Sequence, residues 1–237
     1  MKKLMSPRGR KVHRILGLVF GAYVLLAALS GIGHNLMSAF FPAPPPARVS
    51  GPVAVDSITH SPREAVAAAR AAGDAGGAVE AVNLRMIGGA PWYQIFFAGD
   101  PAPRYVQAET GAINPAIDEI HAREIAARMF PGSEPRLVAR LDDFDGEYLN
   151  IYRLLPVYRF EIGDGRGSRA YISTVTGSAA FVTNDARQAI AGFFSNVHKL
   201  NFIGNKTLKL TLLTLLAAGA VITVAYGFLM WAARRRG

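Results

Sequence analysis

Cysteine is absent from all 237 residues, which excludes disulfides and thiolate metal sites and leaves any folded region to hold together through its core. Acidic residues are missing from both ends, since all 17 lie between Asp56 and Asp185. Charge of either sign is missing from two long stretches, residues 15–47 and 210–233. Each stretch exceeds the roughly 20 apolar residues that cross a ~30 Å hydrocarbon core at 1.5 Å per residue. The alternative, a helix buried in a soluble core, fits poorly with two such runs at opposite ends, both bordered by cations.

The cations that are present explain the formal net charge of +9. Lys2, Lys3, Arg8, Arg10, Lys11 and Arg14 precede the first run, and Arg234, Arg235 and Arg236 follow the second. Between the runs the charges roughly balance, so the excess is a topology signal and not a nucleic-acid footprint. Basic clusters beside a span stay on the cytoplasmic side, which puts both ends inside and the middle outside. A cleavable signal peptide also starts with a basic segment and an apolar run. Here the apolar run continues to residue 41, well past a signal's core, and then meets Pro42, Pro44, Pro45 and Pro46, a poor setting for cleavage. The expectation is an uncleaved helix.

The predicted order is a cytoplasmic basic segment at 1–10, a transmembrane helix at 11–41 and a Pro-rich linker at 42–50. Two external units follow at 51–115 and 116–188. An amphipathic outer-surface helix and linker occupy 189–207, a second transmembrane helix 208–231 and a basic tail 232–237. Proline ends the first helix because it lacks an amide donor and fixes φ. Ile190, Phe193, Phe194, Val197 and Leu200 recur at spacings of three and four, which predicts an amphipathic helix over 189–203. Tyr226 and Trp231 sit near one end of the second span, as interfacial aromatics do.

The external region repeats itself. Pro91-Trp92-Tyr93-Gln94-Ile95-Phe96-Phe97 resembles Pro156-Val157-Tyr158-Arg159-Phe160-Glu161-Ile162. Further on, Tyr105-Val106-Gln107-Ala108-Glu109-Thr110-Gly111 matches Tyr171-Ile172-Ser173-Thr174-Val175-Thr176-Gly177. A helix is predicted before each pair. The first, over 62–72, is opened by Ser61 as N-cap, Pro62 at the first helical position and Glu64 two further on. The second, over 118–129, is stopped by Pro131-Gly132. Strand-like segments at 78–86 and 135–141 lead into the matched strands. The fold class is therefore α+β: two transmembrane helices flanking a periplasmic domain of two tandem helix-plus-antiparallel-sheet units.

The repeated unit, with its aromatic strand and Thr-Gly turn, resembles the PepSY domain. The helices resemble the PepSY-associated transmembrane family. Arg10-Lys11-Val12-His13-Arg14-Ile15-Leu16-Gly17-Leu18, then Ala28-Leu29-Ser30-Gly31, is similar to that family's first helix; Val197-His198-Lys199-Leu200 and Gly204 are similar to the approach to its second. The resemblance implies a bacterial inner-membrane protein whose periplasmic module binds or regulates a membrane or periplasmic protein partner. It is not expected to be an enzyme on its own. Larger members of the family are similar to haem-dependent ferric-siderophore reductases, which implies the alternative of a b-type haem electron-transfer subunit linked to iron reduction. A two-helix chain would supply only part of such a core unless it forms a homodimer through the helices.

Histidine is the side chain that could carry that alternative, because imidazole is an axial haem ligand and an ionisable group in a span is a functional candidate. The candidates are His34, His198 and His13. His13 and His34 are 21 residues apart, about 31 Å along a helix, so one haem cannot take both from one chain. His34 and His198 share the outer end; His13 would need a second copy. The plainer reading makes all three interfacial. Gly17-Leu18-Val19-Phe20-Gly21 is a GxxxG association signal of low specificity. His121-Ala122-Arg123-Glu124 is not a zinc-protease motif, Asp142 to Glu147 lacks the ladder of a calcium loop, and Gly163-Asp164-Gly165-Arg166-Gly167 reads as a hairpin loop. No catalytic residue and no metal ligand emerges.

Overall fold

The computed structural model describes residues 6–40, 52–73 and 77–235. The Pro-rich stretch at 42–50, Lys2, Lys3 and Arg236 lie outside them. The protein is α+β, with two antiparallel sheets and two long apolar helices near its ends. Contacts divide it into two units, one of residues 1–42 with 186–237 and one of residues 43–185.

The first unit contains α1 (Pro7–Phe40), α5 (Lys206–Arg235) and most of α4 (Asp185–Lys199). Both α1 and α5 are long and apolar enough to cross a membrane, and neither is buried in protein. Leu18, Leu25, Val221 and Phe228 are all exposed. A core helix of a soluble protein would cover such side chains. The two helices meet where side chains are small. A methyl group built on Gly219 would fall within 2.1 Å of Phe20 Cε1, so the Phe20 ring occupies the glycine's place. Gly219→Leu is therefore expected to cost about 1–3 kcal/mol through overpacking. Phe20→Ala in the same chain should restore most of the loss, read as the melting temperature of the detergent-solubilised protein. Gly17 and Gly21 have no atom within 4 Å of such a methyl, so the GxxxG face is not the one used against α5.

The amphipathic segment differs from its sequence reading. Its helix is α4, starting at Asp185 and stopping at Lys199 instead of running to 203. Leu200 takes a left-handed φ of 50°, and the Ile203 amide donates to the Leu200 carbonyl, closing a turn.

The second unit holds α2 (Pro62–Ala71), β1 (Val79–Ile87), β2 (Ala90–Phe97), β3 (Arg104–Gln107), α3 (Ile117–Met129), β4 (Arg136–Leu141), β5 (Val157–Glu161), β6 (Arg169–Ser173) and β7 (Ser178–Thr183). The sheets are β1-β2-β3 and β4-β5-β6-β7, antiparallel throughout. Helix α2 begins as its residues dictate: Ser61 Oγ accepts from the Glu64 amide, and the Ser61 amide donates to Glu64 Oε2 at 2.7 Å. The matched segments occupy corresponding places, the Pro91 stretch on β2 and the Pro156 stretch on β5.

Strand alternation sets the layers. One face of the first sheet, with Tyr93, Ile95, Phe97 and Val106, packs on Ala65 and Ala69 of α2. Its other face, with Ile87, Trp92 and Tyr105, packs on Ile117 of α3. The opposite side of α3 places Ala122, Ile125 and Ala126 on Tyr158, Phe160, Ile172 and Val182 of the second sheet. The far face of that sheet, with Val157, Tyr171 and Phe181, is covered by Tyr148, Tyr152, Leu154 and Leu155 of the segment joining β4 to β5. Helix α3 thus lies between two sheets. That explains why its apolar residues are spread around the helix and do not form one stripe.

Candidate functional site

Burying α3 on both sides takes Asp118 and His121, in its first two turns, out of solvent: Asp118 is 7% exposed and His121 3%. Neither stands out in the sequence beyond the rejected zinc-protease pattern at His121, because an acidic residue at a helix start and a histidine without ligand spacing look like a solvated surface. Two tyrosines from different sheets converge on Asp118. Tyr105 of β3 donates to Oδ1 at 2.7 Å, and Tyr158 of β5 donates to Oδ2 at 2.8 Å. Gln94, fully buried on β2, extends the network by donating to the Tyr105 hydroxyl at 2.9 Å and to the Thr174 carbonyl at 3.0 Å. Burial, and after it the Asp118 charge, holds both tyrosine hydroxyls above the usual phenol range, so both remain donors.

The matched tyrosines do related work. Tyr93 donates to the His60 carbonyl just before α2, where Tyr158 donates to Asp118 at the start of α3. Tyr105 and Tyr171, on the third strand of their units, each donate to a carboxylate, Asp118 and Glu147 respectively. In each case a strand is tied to the layer that covers it.

Asp118 also lines a partly open cavity of about 430 Å³. Tyr105 and Tyr158 share its polar end, and Arg104 and Arg140 stand on its walls. Arg104 pairs with Asp100 at 2.8 Å and Arg140 with Asp142 at 2.9 Å, both partly exposed. Asp118 forms no ion pair among the described residues. His121 is no counter-cation for it, because burial first, and then the Arg85 charge, push its imidazole down to about 4.

The histidines singled out from sequence lie in the other unit. His34 and His198 come together around one benzene ring: Phe194 stacks on His34 at 4.9 Å and on His198 at 4.8 Å between centroids. His13 stacks on Tyr226 at 5.7 Å, with Gly227 beneath it. Two axial haem ligands must present ring nitrogens edge-on to iron from opposite sides of a porphyrin, with nothing between. In this structure both imidazoles stack on the Phe194 ring. Protein purified from a haem-replete host is expected to show no Soret band; a reduced b-type spectrum that disappears in His34→Ala would reverse that expectation.

The loops singled out from sequence are structural. Asp145 Oδ1 accepts from the amides of Glu147 and Tyr148, closing a turn, and residues 163–167 join β5 to β6. No group of three His, Asp or Glu side chains is arranged as a metal site among the described residues. Comparison with protein-family models, curated proteins and solved structures finds no match for the chain.

Proposed function

We propose that this protein is an interaction module held in the bacterial inner membrane by α1 and α5, presenting two PepSY-like units on the periplasmic side to a protein partner. The observation that carries the reading is the apolar tip of the segment joining β4 to β5. Ile151 is 68% exposed, and Phe144 and Leu149 are also exposed. From Phe144 inward the rings of Phe144, Tyr148, Tyr152, Phe181 and Tyr171 form a continuous stack with successive centroids 4.2–5.7 Å apart. Rigid aromatics backing exposed aliphatic side chains resemble the centre of a protein interface.

Strand addition is the weaker route to a partner. The register shifts fall on the edge strands, at Glu80 of β1, Val138 of β4 and Ala180 of β7. The fourth edge, β3, is bridged by Ile113. Bulges and coverings blunt edges against added strands. A partner is therefore expected at the exposed tip, through side chains.

The orientation rests on the cations beside each span, Arg8, Arg10, Lys11 and Arg14 on one and Arg234 and Arg235 on the other. The cysteine-free background makes it testable. A cysteine at Ile151 should react with a membrane-impermeant maleimide in intact spheroplasts, and one at Arg234 only after lysis. The reverse pattern would overturn the proposed topology. In the full chain in native membranes, a photo-crosslinker at Ile151 should trap one discrete protein product that Leu149→Asp abolishes; no product, or the same product from a crosslinker at Val55, would remove the docking role.

A further inference from the structure

The cavity at Asp118 lies on the α3 side of the second sheet, and the tip at Ile151 belongs to the layer on the other side, so the two make separate demands. We infer that this cavity binds a small zwitterion of the amino-acid or dipeptide class, its ammonium group on Asp118 and its carboxylate on Arg140.

The inference starts from an imbalance. A carboxylate removed from water is costly unless cations or several donors compensate it. Asp118 has two phenolic donors and no cation, and the side on which it lacks one is the cavity. Each of its oxygens accepts one tyrosine hydroxyl, which leaves lone pairs for a further donor. An ammonium group supplies both the charge and the hydrogens.

The walls define the rest of the ligand. Arg140 and Tyr158 are cross-strand partners on β4 and β5, so both side chains face the cavity from the same face of the sheet. Arg140 pairs with Asp142 through one nitrogen, and Arg104 with Asp100, itself on the cavity wall. A guanidinium has five N–H donors in a planar fork, so each retains donors for a carboxylate. The rest of the lining is mostly small and apolar, with Ala69, Ala72, Ala102 and Ile113, which admits backbone-sized groups with short side chains. The volume, about 430 Å³, lies in the range of small-molecule sites. A simple amine would leave the arginines unused, and a simple anion would meet Asp118. A zwitterion satisfies both ends.

The test uses the full chain in detergent and alanyl-alanine as probe, titrated calorimetrically beside N-acetyl-alanyl-alanine and alanyl-alanine amide. Alanyl-alanine is expected to bind, and blocking either end to weaken binding at least about tenfold. Because Asp118 also holds the two tyrosines, Arg140→Gln carries the test. Its partly exposed pair with Asp142 adds little to stability, so the variant should melt with the parent yet lose binding by about tenfold or more. Absence of binding at roughly 10 mM probe, equal affinity for the blocked peptides, or unchanged affinity in Arg140→Gln would each overturn the inference.

Discussion

Asp118→Ala is expected to destabilise residues 52–185 by about 3–5 kcal/mol, the range seen when one partner of a buried charged network is removed. The substitution takes away more than one contact. Tyr105 and Tyr158 each lose the carboxylate oxygen to which their hydroxyls donate, and a buried unsatisfied donor costs more than a hydrogen bond returns on average. It also releases the first sheet from the second, since these tyrosines belong to different sheets. Asp118→Asn keeps one carbonyl acceptor and should cost less. The combination Asp118→Leu, Tyr105→Phe and Tyr158→Phe should recover most of the loss, short by the Gln94 amide that donates to Tyr105. Urea unfolding of the full chain, followed by the fluorescence of Trp92 in the first-sheet core, provides the measurement. A loss under 1 kcal/mol in Asp118→Ala would show that the clamp does not hold the layers together.

Acidification should act through His121. Its imidazole titrates near 4 in the folded protein and near 6.5 in an unfolded chain, so the unfolded state binds the extra proton first. Between those values stability falls as pH falls; above 6.5 the full contribution is present. The difference corresponds to about 3 kcal/mol by pH 4. The charges that face this ring are Arg85, Arg128 and Asp118, and only the last favours protonation. His121→Leu removes the titrating group and fills an apolar site, so its stability should match the parent at pH 7.5 and exceed it increasingly below 6.5. The other carboxylates titrate alike in both proteins and cancel in the comparison. Parallel pH profiles for the two would show that His121 protonates without opposing the fold.

Much of the framework was legible in the residues because the relevant physics is local. Ser61, Pro62 and Glu64 specify a helix start within four positions, and α2 begins there. Two uncharged runs specify helices long and apolar enough to cross a membrane, and α1 and α5 are those helices. The matched tyrosine segments fall on corresponding strands because alternation and turn residues fix short-range geometry. The interior site was not legible. Asp118 acquires its character from Tyr105, 13 residues upstream, and from Tyr158, 40 residues downstream, and it is buried only because α3 is covered twice. His34 and His198 illustrate the opposite case. Spacing brought them to the same end, yet both stack on Phe194, one turn before His198, whose ring no pattern of histidines would reveal.

The place of α3 has a consequence for the order of folding. By sequence it comes directly before the second sheet, but the first sheet needs it as a floor: until residues 117–129 leave the ribosome, Trp92, Gln94 and Tyr105 have nothing above them but water. A chain severed near residue 115 would carry an open, half-apolar sheet with two ring-bearing strands, a surface prone to self-association. The two sheets thus share one helix, and any rearranged or shortened form has to keep the third helix with both.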